Sequence, residues 1–175
     1  MSETQERRYK FSWDLIGDLE EGRPNLGPNA SLIMYRLMQF MFRDVLEERY
    51  GTETTDELFH ETGKKAGIQV YNKYCSEVTD LNSFVVTLQK LLKDLSIGIM
   101  RVEKADQEKG HFTITVAEDL DCSGLPELDY EICTFDEGFI AGLMESFTGK
   151  KFEVKEIDCW CTGDRTCRFT ADVVE

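Results

Sequence analysis

The stretch that decides the fold is YEICTFDEGFIAGLMESFTGKKFEVKEIDCWCTGDRTCRF, residues 130–169. Its first half contains Thr134 and Glu137, spaced as in a capping box at the start of a helix. Apolar residues then recur at helical spacing as far as Gly149, which has the residue type that commonly ends a helix. This half therefore predicts a helix of about fourteen residues.

After Gly149 the apolar residues alternate with polar ones, and this period of two is typical of half-buried β-strands. It predicts one strand at 150–158 and another at 166–174, with a turn around Gly163. The C-terminal part of the chain is therefore interpreted as a helix followed by a β-hairpin.

One acidic residue does not fit a purely structural interpretation of the first of these strands. Phe152, Val154 and Glu156 fall on the same face by alternation. A carboxylate on an apolar face is costly unless a positive group neutralises it, and the neighbouring sequence offers no obvious Lys or Arg. A metal cation would neutralise it.

Three cysteines lie at positions from which they could share such a cation with Glu156. Cys159 follows the first strand, Cys167 begins the second, and Cys133 precedes the helix, where the helix dipole favours a thiolate. Thiolates with one carboxylate form a plausible closed zinc site.

The residues alone leave other interpretations of this pattern open. Each cysteine could be a small buried side chain, and Glu156 could lie exposed at a sheet edge. Cys161 falls on the same side as Cys159 by alternation, so an all-thiolate site that contains Cys161 is equally compatible with the spacing.

Upstream, three helices are predicted before a first β-hairpin. The helices begin near Asn29, Thr54 and Asp80, and the hairpin strands cover 96–103 and 111–116. Helices followed by hairpins predict an α+β fold, with an antiparallel twisted sheet of about four strands and helices packed against it. Residues 1–10 are expected to form a disordered tail, and residues 11–175 a single domain.

The helix that ends at Tyr50 is apolar nearly all round and should be buried on most sides. It could be a core helix, half of a dimer interface, or the wall of a ligand cavity. In the next helix, Gly63 and Gly67 are four residues apart, which predicts close packing against a neighbouring element.

The composition excludes several classes of function. The 175 residues carry a net charge of −14, which disfavours binding to nucleic acid or to anionic membranes. The sequence shows no apolar stretch long enough for a membrane span and no secretory signal, so we expect a cytoplasmic protein. In that compartment the six cysteines favour metal ligands or buried side chains over disulfides.

Residues 130–169 resemble the C-terminal half of the 4-vinyl-reductase domain family. The segment GRPNLGPNASLIMYRLMQFMF, 22–42, resembles the Gly-rich entry of that family into its first long helix. The resemblance implies a fold like that of subunits of the transport-protein-particle (TRAPP) complex. It also implies a structural zinc ion, with ligands at Cys133, Glu156, Cys159 and Cys167. Cys161 stands where relatives commonly have a small residue.

Members of this family occur as stand-alone proteins and as sensor domains that respond to aromatic hydrocarbons such as phenol. By resemblance, the chain is therefore expected to be a dimeric binding domain for an apolar, aromatic or lipid-like ligand, acting as a sensor or adaptor. The candidate residues of the ligand pocket are aromatic or aliphatic: Phe84, Leu88, Phe112, Ile114, Phe139, Trp160 and Phe169.

Two other functions remain open at this point. The family name implies an association with reduction of a tetrapyrrole vinyl group. The chain, however, shows no dinucleotide fingerprint, and only His60 and His111 could serve as near-neutral acid–base groups. Binding is therefore favoured over catalysis. The third interpretation is a dimeric assembly module without a ligand.

Overall fold

The structure is a computed structural model that describes residues 7–174. The predicted tail at 1–10 lies partly outside this range, and residues 7–10 are exposed and belong to no helix or strand. The described chain divides into two compact units, one up to Met38 and one from Gln39 onward. The prediction of a single domain over 11–175 remains a prediction.

Five α-helices and four β-strands follow one another in the described residues. The helices are α1 (Leu19–Gly22), α2 (Leu32–Tyr50), α3 (Thr52–Tyr74), α4 (Leu81–Asp94) and α5 (Thr134–Thr148), with short 3₁₀ helices at Trp13–Ile16 and Trp160–Thr162. The strands are β1 (Ile99–Asp106), β2 (His111–Ala117), β3 (Lys151–Asp158) and β4 (Cys167–Val174). The predicted α+β class is confirmed.

The four strands form one antiparallel sheet in the order β1-β2-β4-β3. The two hairpins join through β2 and β4, where Ile114 lies opposite Phe169 and Val116 lies opposite Cys167. The hairpin that bears the cysteines therefore contributes a central strand, and Cys167 begins that strand.

One face of the sheet is buried and the other is largely polar. Along β3, burial alternates so that Phe152, Val154 and Glu156 are buried while their neighbours are exposed, as the period of two predicted. Helices α4 and α5 pack against the sheet. On the outer side, Arg168 of β4 pairs with Glu103 and Asp158.

Helices α3 and α5 approach each other closely because both are notched with glycine. A Cβ atom on Gly63 would lie 2.0 Å from the Phe135 carbonyl oxygen, and a Cβ atom on Gly142 would lie 2.2 Å from the Lys64 carbonyl oxygen. Gly67 and Gly138 are equally constrained. The predicted close packing at Gly63 and Gly67 is confirmed, and its partner is the helix that follows Cys133.

Two predicted capping boxes are wrong, whereas the helices themselves are confirmed. Helix α3 begins at Thr52 rather than at Thr54. Helix α5 begins at Thr134 with Cys133 as its N-cap residue, and Glu137 accepts hydrogen bonds from the backbone of Glu156 and the side chain of Lys155. Tertiary partners thus replaced the local cap.

Helix α2 has no buried residue, although the sequence predicted burial on most sides. Met41 is 52% exposed and Phe42 59%. The apolar side chains on the exposed surface of this helix are Leu32, Ile33, Met34, Leu37, Met38, Met41, Phe42 and Val45. The interpretation of α2 as a core helix is therefore wrong for the isolated chain.

Candidate metal centre

Four buried cysteines converge at one end of the sheet. The sulfur atoms of Cys122, Cys133, Cys159 and Cys167 all lie within 4.8 Å of one another. The Cys133 sulfur is 3.9 Å from that of Cys159 and 4.0 Å from that of Cys167, and the Cys122 and Cys167 sulfurs are 3.0 Å apart. Each cysteine is at most 1% exposed.

Three different kinds of local structure supply these thiols. Cys133 caps α5, Cys167 begins β4, and Cys159 caps the short 3₁₀ helix after β3. The backbone N–H of Thr162 donates to the Cys159 sulfur, an arrangement that favours a thiolate. Cys122 lies in the loop between β2 and α5.

Three of the four ligands that the sequence predicted are brought together, namely Cys133, Cys159 and Cys167. The fourth, Glu156, is buried nearby but is not a member of the group of four sulfurs. Its assignment as a ligand remains a prediction. Cys161 is also buried outside the group, and its carbonyl oxygen accepts a hydrogen bond from the Leu128 N–H.

Sequence reasoning missed Cys122. Its loop has neither helical nor strand periodicity, so alternation could not predict where the side chain points. The available signal was Asp119, three residues upstream, because an Asp at that offset is typical of a turn that orients the residues after it.

Without a cation, the charges at this site are poorly matched. Neither carboxylate oxygen of Glu156 has a hydrogen-bond partner among the described residues. Burial, with the nearby Cys167 and Cys159, raises the pKa of Glu156 to about 11. Hydrogen bonds from Cys122 and Cys133 lower the pKa of Cys159, whereas the hydrogen bond with Cys122 raises the pKa of Cys133.

Further acidic groups lie beside the cysteines. Asp119, Cys133 and Asp136 form a second group of close potential ligands. Burial and Asp121 raise the pKa of Asp119 to about 6, and burial raises the pKa of Asp136 above its usual range. Buried acids and thiols at such density favour a bound cation because ionised groups are costly in an apolar interior.

The donor set fits a soft or borderline divalent ion. Cysteine thiolates select zinc and similar metals, and four protein ligands close a tetrahedral site to substrates. The residues present therefore suit a structural ion better than a catalytic one.

The seven predicted pocket residues are packed into the core. Phe84, Leu88, Phe112, Ile114 and Phe169 are buried, and Phe139 and Trp160 pack against them while partly exposed. Their assignment to a ligand pocket remains a prediction.

Phe84 and Phe147 form a parallel aromatic stack in this core. Their ring centroids are 4.3 Å apart, with an interplanar angle of 5°. Phe147 also lines a cleft of 410 Å³ together with Leu81 and Gln107. The aromatic stack is therefore reached from the protein surface through this cleft.

None of the helices in the described range is both long enough and apolar enough to cross a bilayer.

A buried cysteine cluster beside a four-stranded antiparallel sheet and packed helices defines a class of small α+β domains with a candidate metal centre. Residues 112–173 match the 4-vinyl-reductase (V-4-R) domain family, and this range contains all four clustered cysteines. The resemblance to the 4-vinyl-reductase family is thereby confirmed.

Solved structures share the fold across most of the chain. The phenol-responsive sensory domain of the transcription activator PoxR, solved with phenol, is 15% identical with a TM-score of 0.63, covering 85% of this chain and 78% of that domain. A vinyl-4-reductase family protein of Methanocaldococcus jannaschii is 17% identical with a TM-score of 0.60, covering 93% of this chain and 94% of its own.

A trafficking protein particle complex subunit 3 of Naegleria fowleri, solved covalently bound to palmitic acid, also has this fold. It is 14% identical with a TM-score of 0.59, and the match covers 82% of this chain and 95% of the subunit. The predicted TRAPP-subunit-like fold is therefore confirmed.

Proposed function

We propose that the chain is a metal-stabilised sensor or adaptor domain that binds an apolar small molecule, aromatic or lipid-like, and acts as a homodimer. The observation that carries this proposal is the group of four buried sulfurs inside the range that matches the 4-vinyl-reductase domain. A structural zinc ion there would fasten α5 to the β3–β4 hairpin and so hold the apolar interior in shape.

The aromatic stack of Phe84 and Phe147 is the proposed ligand site. A flat apolar ligand would enter through the 410 Å³ cleft and displace or separate the two rings. The fold shared with a phenol-bound sensory domain and with a palmitate-bound subunit supports a ligand of this chemistry. The interior offers it apolar contacts from Leu88 and Phe112.

The metal is tested by elemental analysis of gently purified protein. We expect about one zinc ion per chain, as in closed structural sites. Absence of any stoichiometric metal would overturn this part of the proposal.

The ligand is tested by thermal shift with phenol, naphthalene and palmitic acid. At least one compound should raise the melting temperature of the wild type, because a ligand that binds only the folded state stabilises it. Phe147→Leu should reduce that shift, whereas Phe135→Leu on the same helix, away from the 410 Å³ cleft, should preserve it. If all three compounds leave the wild type unchanged, the ligand proposal fails.

The exposed apolar surface of α2 favours a second candidate, a dimeric assembly module. Monomeric proteins rarely expose a large contiguous apolar patch, so a second copy or another partner is expected to cover this helix. The two candidates share the homodimer and differ in whether the interior accepts a ligand.

Sedimentation of the wild type and of Met41→Glu tests the dimer. The charge should convert a dimer to a monomer if α2 is the interface, because Met41 would then be buried without a partner for the carboxylate. The matched control is Val86→Glu, since Val86 is equally exposed but lies on α4. A monomeric wild type would contradict the homodimer.

A further inference from the structure

We propose that the metal ion is held by four thiolates, with Cys122 rather than Glu156 as the fourth ligand beside Cys133, Cys159 and Cys167. This inference rests on the metal binding proposed above and specifies its coordination. It departs from the ligand set that the family resemblance implies.

The four sulfur positions are close to those of a tetrahedral site. Zinc–sulfur bonds of about 2.3 Å require sulfur–sulfur separations of about 3.8 Å in a regular tetrahedron. Cys133 already lies 3.9 Å from Cys159 and 4.0 Å from Cys167. The Cys122–Cys167 separation of 3.0 Å has to widen by only about 0.8 Å to complete the same figure.

The loop that carries Cys122 is held by its own hydrogen bonds. Asp119 Oδ1 accepts from the backbone N–H of Asp121 at 2.9 Å and from that of Cys122 at 3.0 Å. The Cys122 carbonyl oxygen in turn accepts from the Leu125 N–H at 3.0 Å. This Asp-centred turn orients the thiol before any metal binds.

The same loop is fastened to the segment that carries Cys159. The Leu128 N–H donates to the Cys161 carbonyl oxygen at 2.8 Å, and Trp160 Nε1 donates to the Leu125 carbonyl oxygen at 3.0 Å. Cys122 and Cys159 are therefore connected through a short hydrogen-bonded path, although 37 residues separate them in the chain.

Glu156 is the competing ligand, and two observations disfavour it. Its carboxylate is not in the mutually close group, and Glu137 anchors its backbone N–H at 2.8 Å on the α5 side. If Glu156 did bind, the Cys122 sulfur would remain 3.0 Å from the ligand sulfur of Cys167. A soft ion with five donors and four positions should take the sulfur before the oxygen.

X-ray absorption of the zinc-loaded wild type tests the coordination without any substitution. We expect four sulfur neighbours at about 2.3 Å and no oxygen neighbour. Three sulfurs with one shorter oxygen would overturn the inference while leaving the proposed metal-stabilised domain intact. A protein that binds no metal would overturn both, and elemental analysis identifies that case.

Cobalt substitution identifies which residues bind. In Cys122→Ser, the thiolate-to-cobalt charge-transfer absorption per cobalt should fall by about a quarter, because one of four sulfur ligands is lost. Glu156→Gln should leave that absorption unchanged, as should Cys75→Ala, which removes a buried cysteine outside the cluster. A change in Glu156→Gln, with or without one in Cys122→Ser, would contradict the four-thiolate assignment.

Discussion

The interior between the helices and the sheet has two ends of opposite character. At one end, Phe84, Leu88 and Phe147 pack as hydrocarbon against hydrocarbon. At the other end, four thiols adjoin the unpartnered carboxylate of Glu156. The aromatic end is stable by burial alone, whereas the sulfur end needs a cation to offset the cost of its buried donors. Stability and ligand response should therefore respond to different treatments at the two ends.

Metal removal should have the largest effect on the sulfur end. Stripping the protein with a strong chelator under reducing conditions should cost several kcal/mol, because binding free energy at a structural site contributes directly to folding. For a chain of this size that corresponds to a fall in melting temperature of roughly 10 °C or more.

Calorimetry before and after chelation measures this fall, and re-addition of zinc should reverse it. Magnesium should not restore the melting temperature because thiolates select softer ions. An unchanged melting temperature after complete metal removal would mean that the two ends do not differ in the way described.

Truncation at the aromatic end should have the next largest effect. Leu88→Ala removes a side chain that is only 4% exposed, and such changes cost about 2–5 kcal/mol of unfolding free energy. Val86→Ala, on the same helix but 62% exposed, should change it by less than about 0.5 kcal/mol. Urea unfolding of both variants gives the comparison, and equal losses would contradict the packed aromatic end.

The pH dependence of the metal-free protein distinguishes the ends again. Glu156 has a pKa of about 11 in the folded chain, above its ordinary value of 4.5. Between these values the unfolded chain releases the proton while the folded chain keeps it, so the unfolding free energy falls as pH rises. The slope from this one group is at most about 1.4 kcal/mol per pH unit.

Glu156→Gln should remove this contribution, and Leu88→Ala should leave the slope as it is in the wild type. Denaturant unfolding of metal-free samples at about pH 6 and about pH 8 measures both. Identical slopes in the wild type and in Glu156→Gln would show that the carboxylate is solvated or paired.

The smallest effect is expected on the outer face of the sheet, which serves as a reference for both ends. Arg168 pairs there with Glu103 and Asp158, but its side chain is 36% exposed, so water screens the interaction. Arg168→Ala should cost less than about 1 kcal/mol. A larger loss in thermal unfolding would indicate that this ion-pair network shapes the turn that bears Cys159 and Cys167.

Much of this architecture could be predicted from the sequence because helices and strands repeat with fixed periods. Alternation along β3 predicted the inward positions of Phe152 and Glu156, and Gly63 with Gly67 predicted a close helix contact. Strand β1 was predicted about three residues too early, since a charged turn offers no sharp periodic boundary. The capping boxes failed because Glu137 found a stronger partner in the backbone of Glu156.

The sequence by itself determined the order of helices and hairpins, the α+β class, and three thiols at the ends of predicted elements. Only the tertiary structure brought Cys122 to those thiols, packed the aromatic candidates against one another, and left α2 exposed. The physical reason is that periodicity reports which way a side chain points from a regular element. Convergence of an aperiodic loop with a distant strand depends on contacts between segments far apart in the chain.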